Sequence, residues 1–152
     1  MENGGIIKVI VFICIAFASF LIISELFSSL TPKPTLEILE CSLNPTDVKI
    51  NQSSNLIFKV KNNDKDESHT LKVTFDSHYL VSFFLGKEPL SQSNGEWYFT
   101  KVINPLEETT QIIIVKASLE HGVGQLTYDI TIKFYVDDQY LLTKKLKLSV
   151  ST

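Results

Sequence analysis

Arginine is absent from this chain of 152 residues: all 14 basic side chains are lysine, set against 17 acidic ones. Phosphate is best gripped by the planar guanidinium fork, and a net charge of −3 leaves no basic surface to release counterions from a nucleic acid. A nucleic-acid partner is therefore not expected. Cysteine is scarce as well, with one residue (Cys14) inside an apolar run and one (Cys41) beyond it, so no disulfide is expected within the folded domain. The one methionine is Met1, which removes the thioether ligand of a blue-copper centre, and His69, His78 and His121 have no paired spacing that would hold zinc. Glycine numbers six, four of them after residue 30, too few to cradle a phosphate. Neither G-x-S-x-G, H-E-x-x-H nor a dinucleotide fingerprint occurs. The chain is not expected to be an enzyme, to carry a cofactor or to bind a small-molecule substrate.

What the sequence has in quantity is apolar residues, 44% of the total, and they are unevenly spread. After a short N-terminal tail (1–8), residues 6–27 read IIKVIVFICIAFASFLIISELF, with Lys8 and Glu25 near the ends and no charge between them. As a helix these residues reach about 33 Å, enough to cross a hydrocarbon core of roughly 30 Å. Apolar side chains surround it on every side, so a single transmembrane helix is predicted. A cleaved secretory signal is the competing reading; its small-residue step, Ala16-Phe17-Ala18, falls inside the run rather than after it. Residues 28–34 (SSLTPKP) form a proline-containing linker that holds the C-terminal domain within roughly 20 Å of the bilayer. The expected location is the cell membrane, single-pass, with the N-terminus cytoplasmic and the rest outside.

From residue 35 onward the apolar period is two. Leu56, Phe58 and Val60 alternate with lysines and Ile57; Leu71, Val73 and Phe75 alternate with Lys72, Thr74 and Asp76; a longer series runs from Leu126 to Val136. Further strands are read at 35–43, 79–85, 97–102, 111–119 and 140–150, separated by turn signals such as Ser93-Asn94-Gly95 and Asp137-Asp138. Seven or eight short strands over 35–150 predict an all-β, two-layer antiparallel sandwich. In its last hairpin Tyr140, Leu142, Leu146 and Leu148 are expected to point inward, and Lys144 breaks that pattern.

The stretch Leu43-Asn44-Pro45 to Asn51, followed by Asn55-Leu56-Ile57-Phe58-Lys59-Val60-Lys61-Asn62-Asn63, resembles the opening of adhesion-type (CARDB-like) sandwich modules. Ile103-Asn104-Pro105-Leu106-Glu107-Glu108 and Gly124 to Ile130 are similar to later steps of the same modules, while their glycine after the first proline is replaced here by Asn51 or Gln52. With the apolar N-terminal segment, the plan is similar to membrane-anchored archaeal cell-envelope proteins, including the stator-like accessory proteins of the archaellum. The resemblance implies an Ig-like fold and a binding role in the cell envelope, with a protein partner. Two variants of that role are an accessory subunit whose helix packs inside a larger membrane or filament complex, and a secreted module released by signal cleavage.

Local patterns supply the candidate sites. Asn62, Asp64 and Asp66 stand at positions 1, 3 and 5 of a calcium-loop pattern, although Glu67 replaces its glycine and Val73 its bidentate glutamate. Tyr79, Phe83 and Phe84 belong to a seven-residue uncharged run, which is either a strand buried on both faces or an edge that packs on a partner. Trp97 and Tyr98 are candidate interface anchors of the kind enriched where proteins meet. Asn51-Gln52-Ser53 is a usable N-glycosylation triplet, with Asn51 as acceptor.

Overall fold

The computed structural model describes residues 35–152. The expected N-terminal tail, the membrane helix over 6–27 and the linker 28–34 lie outside the described residues. Within them every regular element is a strand: β1 (Leu36–Asn44), β2 (Asp47–Lys49), β3 (Ser53–Asn62), β4 (His69–Asp76), β5 (Val81–Leu85), β6 (Glu88–Pro89), β7 (Ser91–Ser93), β8 (Glu96–Ile103), β9 (Glu108–Ala117), β10 (Gln125–Val136) and β11 (Gln139–Ser151). Among the described residues no helix is long and apolar enough to cross a membrane.

The strands form two sheets. Sheet A runs β1-β3-β9-β5-β6 and sheet B runs β2-β11-β10-β4-β8-β7. Every pairing is antiparallel except β2 with β11, which is parallel. The chain passes from sheet A to sheet B after β1, returns after β2, and crosses again after β3, after β4, at Leu90, after β8 and after β9. Each inner face is built by the period-two rows: Leu56, Phe58, Val60, Ile113, Val115 and Phe83 from sheet A, and Leu71, Val73, Phe75, Ile130, Ile132 and Phe134 from sheet B, all fully buried. Aromatic contacts bridge the layers. Phe58 meets Phe99 and Phe134 edge-on at centroid distances of 5.9 and 5.8 Å, and Phe75 stacks on Phe83 at 5.0 Å. The predicted all-β sandwich is what the described residues form.

Several local expectations change. The uncharged run does not start its strand at Tyr79; residues 79–80 form a turn and β5 begins at Val81. Three further strands of two or three residues, β2, β6 and β7, extend the sheet edges. Tyr140, expected to point inward, is 61% exposed. The register explains this: Phe134 faces Leu142 but Tyr135 faces Tyr140, so Leu141 is bulged and the alternation reverses. Lys144 now has a physical place. It faces the buried Ile132 on a stretch of β11 that β2, paired only at Ser149–Ser151, leaves as an edge. An inward-directed lysine on an edge strand discourages pairing with another chain.

The turn residues fit their backbone. Asn94 and Gly95 both take positive φ (51° and 82°) in the β7–β8 hairpin, as do Asp137 and Asp138 (48° and 63°) between β10 and β11.

Candidate functional site

Sheet A carries on its outer face the residues that alternate with its core row. Ile57 pairs with Ile112, and one step along, Ile114 pairs with Phe84, which pairs in turn with Pro89. Ile112 is 51% exposed, Pro89 is exposed, and Ile57, Ile114 and Phe84 are half-buried. The result is a contiguous apolar patch across four strands. Around it stand polar and charged side chains. Lys116 lies over the Phe84 ring at 4.9 Å, and Lys59 bonds Glu108 at 2.5 Å. An apolar centre within a polar rim is the anatomy of a protein interface. Ile57, Ile112 and Ile114 are not among the sequence candidates, though the run Ile112-Ile113-Ile114-Val115 signals the patch: an uninterrupted apolar strand must turn part of itself outward unless both faces are covered.

The sequence candidates separate on this framework. Phe84 belongs to the patch. Phe83 does not: it is fully buried between Phe75 and Trp97, so it serves the core and not a surface. Trp97 faces the same interior, packing against Phe83 at 6.1 Å, and is likewise not an exposed anchor. Both corrections have one cause. Neighbours in an all-apolar run point to opposite faces, and only the sheet pairing decides which is inside. Tyr98, on the opposite face from Trp97, is half-buried on the outside of sheet B. Tyr79 is 77% exposed in the β4–β5 turn, where its ring lies 4.3 Å from that of His78 and its hydroxyl reaches Glu120 at 3.5 Å. Asn51 is exposed in the β2–β3 turn with φ of 68°. That left-handed conformation accounts for the missing glycine, because asparagine is one of the few residues that tolerates it.

The loop 62–69 does not hold its side chains as a calcium loop does. Asn62 is fully buried; its amide donates to the carbonyls of Glu67 (2.9 Å) and Ile103 (3.1 Å), and its Oδ1 accepts the Asp64 N–H at 2.9 Å. Asp64 Oδ1 in turn accepts from the amides of Asp66 (2.9 Å) and Glu67 (3.2 Å), which holds the Asp64 carboxyl below its usual range. Oxygens engaged by loop amides are turned away from a cation, so Asn62 and Asp64 are the loop's fasteners, and Asp66, exposed, takes part through its backbone amide. Asp64, Glu67 and His69 do bring one donor atom each within 4.8 Å of one another. The imidazole already answers that grouping: its Nδ1 lies 2.6 Å from Asp137 Oδ2 and its Nε2 3.6 Å from Asp64 Oδ2. The Asp137 contact, opposed by burial, raises the His69 pKa; the protonated ring bonds Asp137, while its Nε2 faces Asp64 at ion-pair distance without a hydrogen-bond partner.

Cys41 sits half-buried on β1, opposite Phe58. Burial pushes its thiol up to about 11, with Lys144 pulling the other way, so it has no character of a nucleophile or metal ligand at neutral pH.

No family model matches the chain. No curated protein matches it either. Among solved structures it is similar to a Pseudomonas fluorescens alkylpurine DNA glycosylase, AlkC, bound to DNA containing an abasic site analog, at 12% identity and a TM-score of 0.47, covering 76% of this chain and 31% of that one. A mutant Salmonella alpha-2-macroglobulin is 21% identical at a TM-score of 0.43, over 77% of this chain and 7% of the other. The periplasmic chaperone SfaE is 14% identical at a TM-score of 0.38, over 74% and 56% respectively. At these values nothing about activity or partners transfers to this chain.

Proposed function

We propose that this chain is a non-enzymatic, membrane-anchored module of the cell envelope that presents an Ig-like β-sandwich outside the cell and binds a protein partner. The observation that carries the reading is the outer face of sheet A, where, among the described residues, Ile57, Ile112, Ile114, Phe84 and Pro89 lie together half-buried to exposed beside Lys59, Glu108 and Lys116. The occupant is a protein with an apolar surface of its own. A bilayer is a poorer fit, because the Lys59–Glu108 ion pair in the rim would have to shed water against hydrocarbon. In the loop 62–69 the Asp64 carboxylate is engaged by the backbone amides of Asp66 and Glu67, and the His69 imidazole by Asp137, which favours a structural role for both. The Ig-like assignment is favoured by Tyr128, near the start of β10, whose hydroxyl donates to the Ser118 carbonyl upstream in the manner of a tyrosine corner. The membrane anchor rests on the charge-free apolar stretch within residues 6–27, and the plan so read is similar to that of archaeal envelope proteins such as archaellum accessory subunits.

One experiment tests location and partner together. Intact cells are treated with a lysine-reactive crosslinker that cannot enter them, and the products are identified by mass spectrometry. Adducts joining this chain to a protein in intact cells are expected. Labelling that appears only after lysis, or labelled chain with no protein attached, overturns the proposal.

A further inference from the structure

The outer face of sheet B holds a second, unlike surface. Thr74 on β4 pairs with Lys133 on one side and Tyr98 on the other; the next row joins Tyr135, Lys72 and Thr100. Thr74, Tyr98, Lys72 and Thr100 of these rows floor a cavity of about 470 Å³ walled by Ser93, Asn94, Glu96 and Asp138, within the size range of small-molecule sites. Lys133 reaches over the strand between to Glu96 at 2.9 Å. Under these long side chains Thr74 is 6% exposed, and its hydroxyl has no hydrogen-bond partner. A buried hydroxyl without a partner is costly, and it gains one if a ligand group enters from the groove.

The lining defines the ligand's chemistry. Glu96 is neutralised by Lys133, which stands outside the lining, and Lys72 is left to balance Asp138, so the groove favours neither an anion nor a cation. Hydroxyls of Thr74, Ser93, Thr100 and Tyr98, with the Asn94 amide and both signs of charge, offer donors and acceptors in alternation. The half-buried Tyr98 ring adds a flat apolar surface with a polar tip. We infer that this groove binds a neutral oligosaccharide, whose hydroxyls match the mixed donors and acceptors and whose C–H faces match the tyrosine. This surface is on the opposite sheet from the proposed protein-binding patch and stands or falls independently of it.

The full-length protein, in a zwitterionic detergent without a sugar headgroup, is titrated by calorimetry with cellotetraose, maltotetraose, chitotetraose and mannotetraose. Saturable binding of at least one is expected below about 10 mM. Thr74→Val keeps the shape and removes the hydroxyl. It should weaken that binding about fivefold while leaving the melting temperature equal or higher, because an unpartnered buried group has been removed. Tyr98→Ala should weaken it about tenfold, and Ile112→Ser on sheet A should leave it unchanged. No saturable binding by any of the four, undiminished binding by Thr74→Val, or a sulfated tetrasaccharide bound more tightly than its neutral parent would each overturn the inference.

Discussion

His69 Nδ1 and the Asp137 carboxylate stand 2.6 Å apart although 68 residues separate them in the chain. The contact joins the first residue of β4 to the β10–β11 turn. The other Asp137 oxygen accepts the Thr70 amide at 2.8 Å, and the Asp137 amide donates to the Thr70 carbonyl at 3.0 Å. One aspartate thus fixes both the imidazole and the backbone beside it, and its left-handed φ of 48° is what turns it back toward β4.

This arrangement sets a pH dependence on both sides. The Asp137 contact raises the His69 pKa above the ordinary 6.5, so its contribution is whole below that value and is lost as pH rises through the folded pKa. The same contact, with the Thr70 amide, lowers the Asp137 pKa below 3.8; that contribution is whole above 3.8 and is lost as pH falls through the folded value. Stability should therefore be greatest at mildly acidic pH. Thermal melts across pH are expected to show a decline of a few degrees on the alkaline side, and His69→Gln should flatten that decline.

Phe58 touches both Phe99 and Phe134 in the opposite layer. Phe58→Ala should cost about 3–5 kcal/mol in denaturant unfolding, since no neighbour can collapse into a void that spans two sheets. The exposed Leu106→Ala, in a turn and 59% open to solvent, should cost less than about 1 kcal/mol.

Asn51 tests the turn that replaces a glycine. At φ of 68°, Asn51→Gly should change stability by only a few tenths of a kcal/mol, whereas the β-branched Asn51→Val should cost about 1–2 kcal/mol.

The thiol of Cys41 should react slowly. In a Cys14→Ser background, a disulfide reagent at neutral pH is expected to modify Cys41 at a small fraction of the rate seen in denaturant, because burial holds its pKa near 11.

How far the sequence foretells this structure depends on the range of the forces involved. The rows of Leu56, Phe58 and Val60, of Leu71, Val73 and Phe75, and of Ile130, Ile132 and Phe134 are legible because alternation is a local signal. The bulge at Leu141 is not, since an extra residue leaves no mark on hydropathy, and it carries Tyr140 to the surface. Strands of two or three residues are too short to show any period. Asn62 resembles a cation ligand because its spacing fits one. Its actual role needs the carbonyl of Ile103, 41 residues away, which no local pattern reports. Phe83 and Phe84 differ only in which face of β5 they occupy, and β9 decides that. The orphaned hydroxyl of Thr74 is equally a product of neighbours on β8 and β10.

The most direct test places a photo-reactive residue at Ile112, in the middle of the apolar face of sheet A, and another at Asp129, exposed on sheet B. Each is introduced singly into the full-length protein in its native membranes and irradiated. The expected result is a discrete protein adduct from position 112 that is absent from position 129, and that disappears when Phe84→Asp is added. Equal labelling from the two positions, or adducts with lipid alone from position 112, would contradict a protein-binding face on sheet A.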